Sequence, residues 1–160
     1  MTYTADQQTV LDSASEFFLS ATADTFLLTG YAGTGKTTLV RALIEELLDG
    51  VGDERLPYNV VLMAPTGRAA VVLAKKTGHA AATIHRTIYK IEDGPQEFDG
   101  KLRFMLRENN DSPRTVYFVD EASMVSDMPS DNELLKFGSG CLLHDLLQYC
   151  GHRKVVFVGD

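Results

Sequence analysis

Short apolar runs alternate along this chain with stretches whose hydrophobic positions recur at helical spacing. Val10, Leu11, Ala14, Phe17 and Phe18 lie one helical face apart, which predicts an amphipathic helix from Thr4 to Ser20, capped by Thr4 or Asp6. Thr25 to Thr29 (TFLLT) has the length of a strand. A second helix is expected from Thr37 to about Asp49, with Leu39, Leu43 and Leu47 on one face, an Arg41–Glu45 pair on another and Gly50 as its stop. Asn59 to Ala64 (NVVLMA) and Thr115 to Val119 (TVYFV) are continuous apolar runs, the mark of strands buried on both faces. Arg68 to Lys76 reads as a helix, Leu142 to Tyr149 as another, and Lys154 to Val158 as a strand closed by Gly159-Asp160. Ala80 to Ile91 has a weaker pattern with a helical centre at Thr83-Ile84-His85. Glu92 to Arg114 is polar and reads as an insertion, with Lys101 to Leu106 as one arm of a hairpin. Ser126 to Gly140 reads as a polar, mobile loop.

Strands that alternate with helices imply a parallel sheet covered by helices on both faces, an α/β fold. The 160 residues suit one domain with a full core, and 44% hydrophobic with 23% charged residues is ordinary globular composition. The formal net charge of −7 excludes a protein that coats nucleic acid by bulk charge, though not a narrow site gripping a few phosphates. Cys141 and Cys150 stand outside any CxxC or Cys/His cluster, so a zinc site is not expected and both thiols are read as reduced. The first ten residues lack a basic region followed by an apolar run, and no stretch has membrane-spanning length, so a cytoplasmic location is expected.

Chemistry is concentrated between the first strand and the second helix. Gly30-Tyr31-Ala32-Gly33-Thr34-Gly35-Lys36-Thr37 fills every fixed position of G-x-x-x-x-G-K-[ST]. Glycines let successive N–H groups turn toward one anion, and the following helix aims its positive end at the same point. Backbone groups of Gly30, Ala32, Gly33, Thr34, Gly35 and Thr38 would cradle phosphates. Lys36 would reach the β and γ oxygens, and the Thr37 hydroxyl would ligate Mg²⁺. Downstream, Asp120-Glu121 closes an apolar strand. Asp120 there suits holding the magnesium ion, and Glu121 suits polarising an attacking water as general base. ATP and Mg²⁺ are therefore the expected ligands, and Lys36 and Glu121 the expected catalytic pair.

Several segments together resemble the first motor domain of superfamily 1 helicases of the RecD/Dda type, a P-loop, RecA-like fold. The wording of the P-loop is common there. Thr4-x-x-Gln7 before Val10-Leu11 is similar to that family's adenine-reading motif, which implies that Gln7, rather than the adjacent Gln8, reads the base edge. Ala64-Pro65-Thr66-Gly67-Arg68-Ala69-Ala70 resembles its first DNA-contacting motif, implying contacts from Pro65, Thr66, Gly67 and Arg68. Thr83-Ile84-His85-Arg86 is similar to the next, with Thr83 and His85 on the DNA backbone or a base. Asp120-Glu121-Ala122-Ser123-Met124 matches the magnesium motif, and Val155 to Asp160 the start of the coupling motif.

The resemblance implies a 5′–3′ type DNA helicase acting on single-stranded DNA, in recombination and repair. It also implies a second motor domain with an arginine finger, which these residues do not contain. The chain is therefore expected to be a fragment, with uncovered sheet edges, and inactive or very weak by itself. Oligomeric state is not legible. The rival readings are a stand-alone P-loop ATPase or small-molecule kinase, with Arg103, Arg107 and Arg114 as its candidate lid cations, and a non-catalytic nucleotide-binding module. A GTPase is disfavoured because no [NT]-K-x-D motif occurs.

Overall fold

The computed structural model describes residues 2–53, 55–92, 100–130, 132 and 134–160. Its centre is a five-stranded sheet in the order β1–β8–β6–β2–β3, with every neighbouring pair parallel. The strands are β1 (Thr25–Thr29), β2 (Asn59–Ala64), β3 (Ala81–Thr83), β6 (Thr115–Val119) and β8 (Lys154–Gly159). β6 is buried at every position, as its unbroken apolar run predicts.

Side-chain alternation along the strands feeds two cores. Leu28, Leu62, Val116, Phe118, Val156 and Val158 face helices α1 (Ala5–Leu19), α2 (Lys36–Asp49) and α3 (Gly67–Thr77). Met63, Tyr117, Val119 and Val155 face α4 (Ile84–Ile88) and α5 (Leu142–Cys150). Of the predicted stripes, Leu39, Leu43 and Leu47 of α2 and Leu11, Ala14, Phe17 and Phe18 of α1 are buried, and Val10 is partly buried against them. Leu27 of β1 points to the second face, where it is 65% exposed, so the β1 side of the sheet is only partly covered.

Thr4 caps α1 through a full capping box, and Gly50 ends α2 with its N–H on the Glu46 and Leu47 carbonyls. Arg41 and Glu45 form the expected ion pair at 3.1 Å.

Two expectations need correction. Ser126 to Gly140 is not merely a loop, because it contains strand β7 (Leu135–Phe137). β5 (Leu102–Leu106) is the predicted hairpin arm, but its antiparallel partner is β4 (Tyr89–Ile91), which precedes the insertion. β7 pairs parallel on the other side of β5, giving a second, three-stranded sheet β4–β5–β7. The polar surroundings of Leu135-Lys136-Phe137 hide a strand whose backbone partner is β5 and whose Phe137 ring packs on Phe104, Tyr89 and His85. Residues 93–99 of the insertion, and 131 and 133 of the loop, lie outside the described residues.

Candidate functional site

β1 delivers the chain directly into the glycine-rich turn. A β-carbon on Gly30 would lie 2.9 Å from Thr34 Oγ1, which itself donates to the Tyr31 carbonyl at 2.7 Å. Gly33 and Gly35 have φ of +82° and +86°, the left-handed region where glycine alone is unstrained. Gly35 is the N-cap of α2 and brings no side chain to it, so the first-turn N–H groups of α2 remain available to an anion.

The loop borders a cavity of about 720 Å³ that gathers most of the predicted residues. Ala32, Gly33, Gly35, Lys36 and Thr37 form one wall, Asp120 and Glu121 another, and Thr66 and Arg68 at the start of α3 a third. The topology explains the convergence. β1, β6 and β2 run parallel, so the loops after their carboxyl ends open on one edge of the sheet. Asp120 is fixed by its N–H to the Met63 carbonyl at 2.9 Å. Glu121 sits at φ +52°, left-handed for a residue with a β-carbon, at the start of a single turn over Ala122–Met124. Such strain costs about 1–3 kcal/mol and is found most at functional sites.

The Lys36 ammonium donates to the Gly30 and Tyr31 carbonyls, the latter at 3.0 Å, and lies 2.8 Å from Asp160 Oδ1. Gln7 sits beside the loop. Its Oε1 accepts the Thr4 N–H at 3.0 Å, while Nε2 lies 2.9 Å from where a β-carbon on Gly35 would stand. The capping box thus holds Gln7 with its two amide donors toward the P-loop.

The other predicted contact residues separate into two places. Thr66 is the N-cap of α3, its hydroxyl accepting the Ala69 N–H at 3.1 Å, and it faces the P-loop cavity together with Arg68. Pro65 and Gly67 flank it on the β2–α3 turn. Thr83 is opposite Ala64 in the β2–β3 register, so it stands next to that turn, and it caps α4 by accepting the Arg86 N–H at 3.1 Å. His85 points elsewhere. Its ring packs edge-on against Phe137 at 4.8 Å and tilted against Tyr89 at 5.6 Å. It lines a separate cavity of about 420 Å³ with Lys101, Arg103 and Lys136. Burial pushes the His85 pKa below its usual 6.5.

Three features escape a reading of the sequence. Asp160 as the partner of Lys36 depends on strand register. A neighbouring cavity of about 530 Å³, sharing Thr37 and Lys76 with the first and lined by Tyr3, Thr38 and Arg41, depends on how three helices pack. Asp145, 2% exposed, accepts from the Tyr89 hydroxyl at 2.5 Å and the Ser139 N–H at 3.1 Å, tying α5 to β4 and the β7–α5 turn.

Among the described residues no group of three or more His, Cys, Asp or Glu is placed to hold a metal ion. A magnesium ion that arrives with a nucleotide has different needs. It keeps waters and phosphate oxygens and takes only one or two protein oxygens. Thr37 and Asp120, which both line the cavity, supply oxygens of that kind.

No helix among the described residues is long and apolar enough to cross a membrane. A family model described as an AAA domain matches residues 2–160. The chain is 34% identical over 134 residues to the ATP-dependent DNA helicase dda of Enterobacteria phage T4, covering 83% of this chain and 26% of that protein. It is 39% identical over 103 residues to the ATP-dependent RecD2 DNA helicase of Deinococcus radiodurans, covering 63% of this chain and 12% of that protein. An uncharacterized protein of Methanocaldococcus jannaschii is 33% identical over 141 residues, 84% of this chain and 11% of that protein. The chain thus spans about a quarter or less of the length of these relatives. With an α/β P-loop fold and a full-length family match, the chain belongs to the AAA-domain family, as a RecA-like motor domain of the superfamily 1 RecD/Dda helicase type.

Proposed function

We propose that this chain is the ATP-hydrolysing domain of a motor that moves along single-stranded DNA in the 5′–3′ direction. The observation that carries the reading is the single cavity into which Lys36, Thr37, Asp120 and Glu121 all open. The P-loop N–H groups from Gly33 to Thr38 cradle the phosphates, and Lys36 neutralises the β and γ oxygens. Thr37 and Asp120 would hold a magnesium ion, which would screen the phosphate charge. Glu121 accepts a proton from the water that attacks the γ-phosphate. Gln7 reads the adenine edge, its amide donors being turned toward the P-loop side.

Coupling to DNA follows from adjacency. Thr66 and Arg68 border the nucleotide cavity, and Thr83 stands beside their turn. A strand phosphate bound at Thr66 and Thr83 would share the β2–α3 turn with the nucleotide site, so a shift at one is felt at the other. The rest of the DNA channel and the arginine finger would come from a second motor domain. An arginine finger is worth ~10³–10⁵ in rate, so these residues by themselves turn over slowly.

The test is ATP turnover with and without single-stranded DNA, for these residues alone and for a longer chain carrying the second domain. Slow, DNA-insensitive hydrolysis by the former and DNA-stimulated hydrolysis by the latter support the proposal. DNA-stimulated turnover at full rate by the 160 residues alone would contradict the need for a second domain.

A further inference from the structure

The Lys36–Asp160 contact is produced by the sheet, not by a chance rotamer. β8 lies between β1 and β6, and its register sets Gly159 opposite Thr29. Asp160 follows directly on Gly159, and Gly30, the root of the P-loop, follows directly on Thr29. A carboxylate there is within reach of the lysine that folds back over that root. Lys36 Nζ has three protons, and three acceptors take them: the Gly30 carbonyl, the Tyr31 carbonyl and Asp160 Oδ1. The lysine is held largely out of solvent, 17% exposed, while Asp160 is 71% exposed.

We propose that Asp160 is a positioning residue for Lys36, and that it competes with the nucleotide's β and γ phosphates for the ammonium. This rests on the reading of the cavity as a nucleotide site. The chemistry is a swap of acceptors. A phosphate oxygen that takes Lys36 must displace Asp160 or share the proton with it, and a carboxylate at the edge of the same cavity repels the incoming anion. The competition is between one ion pair and another for the same ammonium, so Asp160 tunes affinity rather than blocking the site. In the structure the ammonium pairs with Asp160 and not with Asp120 or Glu121, the other carboxylates lining the cavity. β8, which leads into Asp160, lies between the P-loop strand and the strand that precedes Asp120, so any movement of β8's carboxyl end alters the hold on Lys36 directly.

The experiment compares wild type, Asp160→Asn and Asp160→Glu for binding of ATP with magnesium, ATP without magnesium, and inorganic pyrophosphate, alongside thermal melting. Competition predicts that Asp160→Asn tightens all three ligands by roughly two- to fivefold, the worth of an exposed ion pair, while Asp160→Glu stays near wild type. Weaker binding only in the presence of magnesium would make Asp160 part of the metal's surroundings and overturn the proposal. Weaker binding of every ligand with a lowered melting temperature would make it structural, and unchanged affinities would remove it from the site. If wild type binds none of the ligands, the nucleotide reading itself fails, and the competition with it.

Discussion

The side-chain amide of Gln7 lies against Gly35, its Nε2 only 2.9 Å from the point a β-carbon on that glycine would occupy. One residue is the candidate base reader and the other opens α2 at the phosphate cradle, so the two ends of a nucleotide would be positioned by a single contact. Gln7→Ala should leave the phosphate cradle intact and reduce discrimination between ATP and GTP to near unity. Gly35→Ala should do more damage, because it adds left-handed strain at φ +86° and forces the Gln7 amide aside. Competition between ATP and GTP for a fluorescent nucleotide reads both. Equal ATP preference in Gln7→Ala and wild type would remove Gln7 from base recognition.

Glu121 occupies the cavity wall next to Asp120 in a strained backbone conformation. Glu121→Gln keeps its size and geometry and removes its basicity. Hydrolysis should fall by about 10²-fold or more while ATP affinity stays within about twofold. Single-turnover hydrolysis together with equilibrium binding separates these outcomes. A parallel loss of both would mean that Glu121 holds the ligand rather than activating water.

Much of this was legible in the chain itself, because the deciding signals are local. Gly30 to Thr37 specifies its own loop, and the unbroken runs at Asn59–Ala64 and Thr115–Val119 specify strands buried on both sides. What was hidden depends on partners far away in sequence. Leu135-Lys136-Phe137 becomes a strand only because Leu102-Arg103-Phe104 offers it an edge. His85 is turned onto Phe137 by that same small sheet, away from the P-loop cavity that Thr66 and Arg68 border. Asp160 meets Lys36 through the register of β8 on β1, which no local pattern encodes.

The half-buried His85 imidazole gives the fold a pH dependence of definite sign. Burial lowers its folded-state pKa below 6.5, so the unfolded chain binds the proton more readily. The stability contributed is complete above pH 6.5 and is lost as pH falls from 6.5 through the depressed value. Its neighbours Tyr89 and Phe137 offer the imidazolium only ring faces and edges. Chemical denaturation between pH 5 and pH 7.5 should show wild type losing stability toward the acid end more steeply than His85→Phe. Identical slopes would mean that His85 titrates freely.

Asp145 secures the small sheet to the main body through Tyr89 and Ser139. Asp145→Ala leaves a buried hydroxyl and a backbone N–H short of an acceptor, at a cost of about 1–3 kcal/mol. The loss should centre on residues 135–140 and β4, seen as faster hydrogen exchange there, with β1, α2 and β6 protected as before. Uniform loss of protection across both sheets would show that the two units unfold together.

The most direct test of the account is the affinity of Mg-ATP for wild type and for Lys36→Ala, measured with melting temperatures to confirm that both are folded. Binding by wild type and its loss in a folded Lys36→Ala variant is the predicted result. Equal affinity in the two proteins would contradict the account, because the lysine that three acceptors hold along the P-loop would then have no part in gripping phosphate.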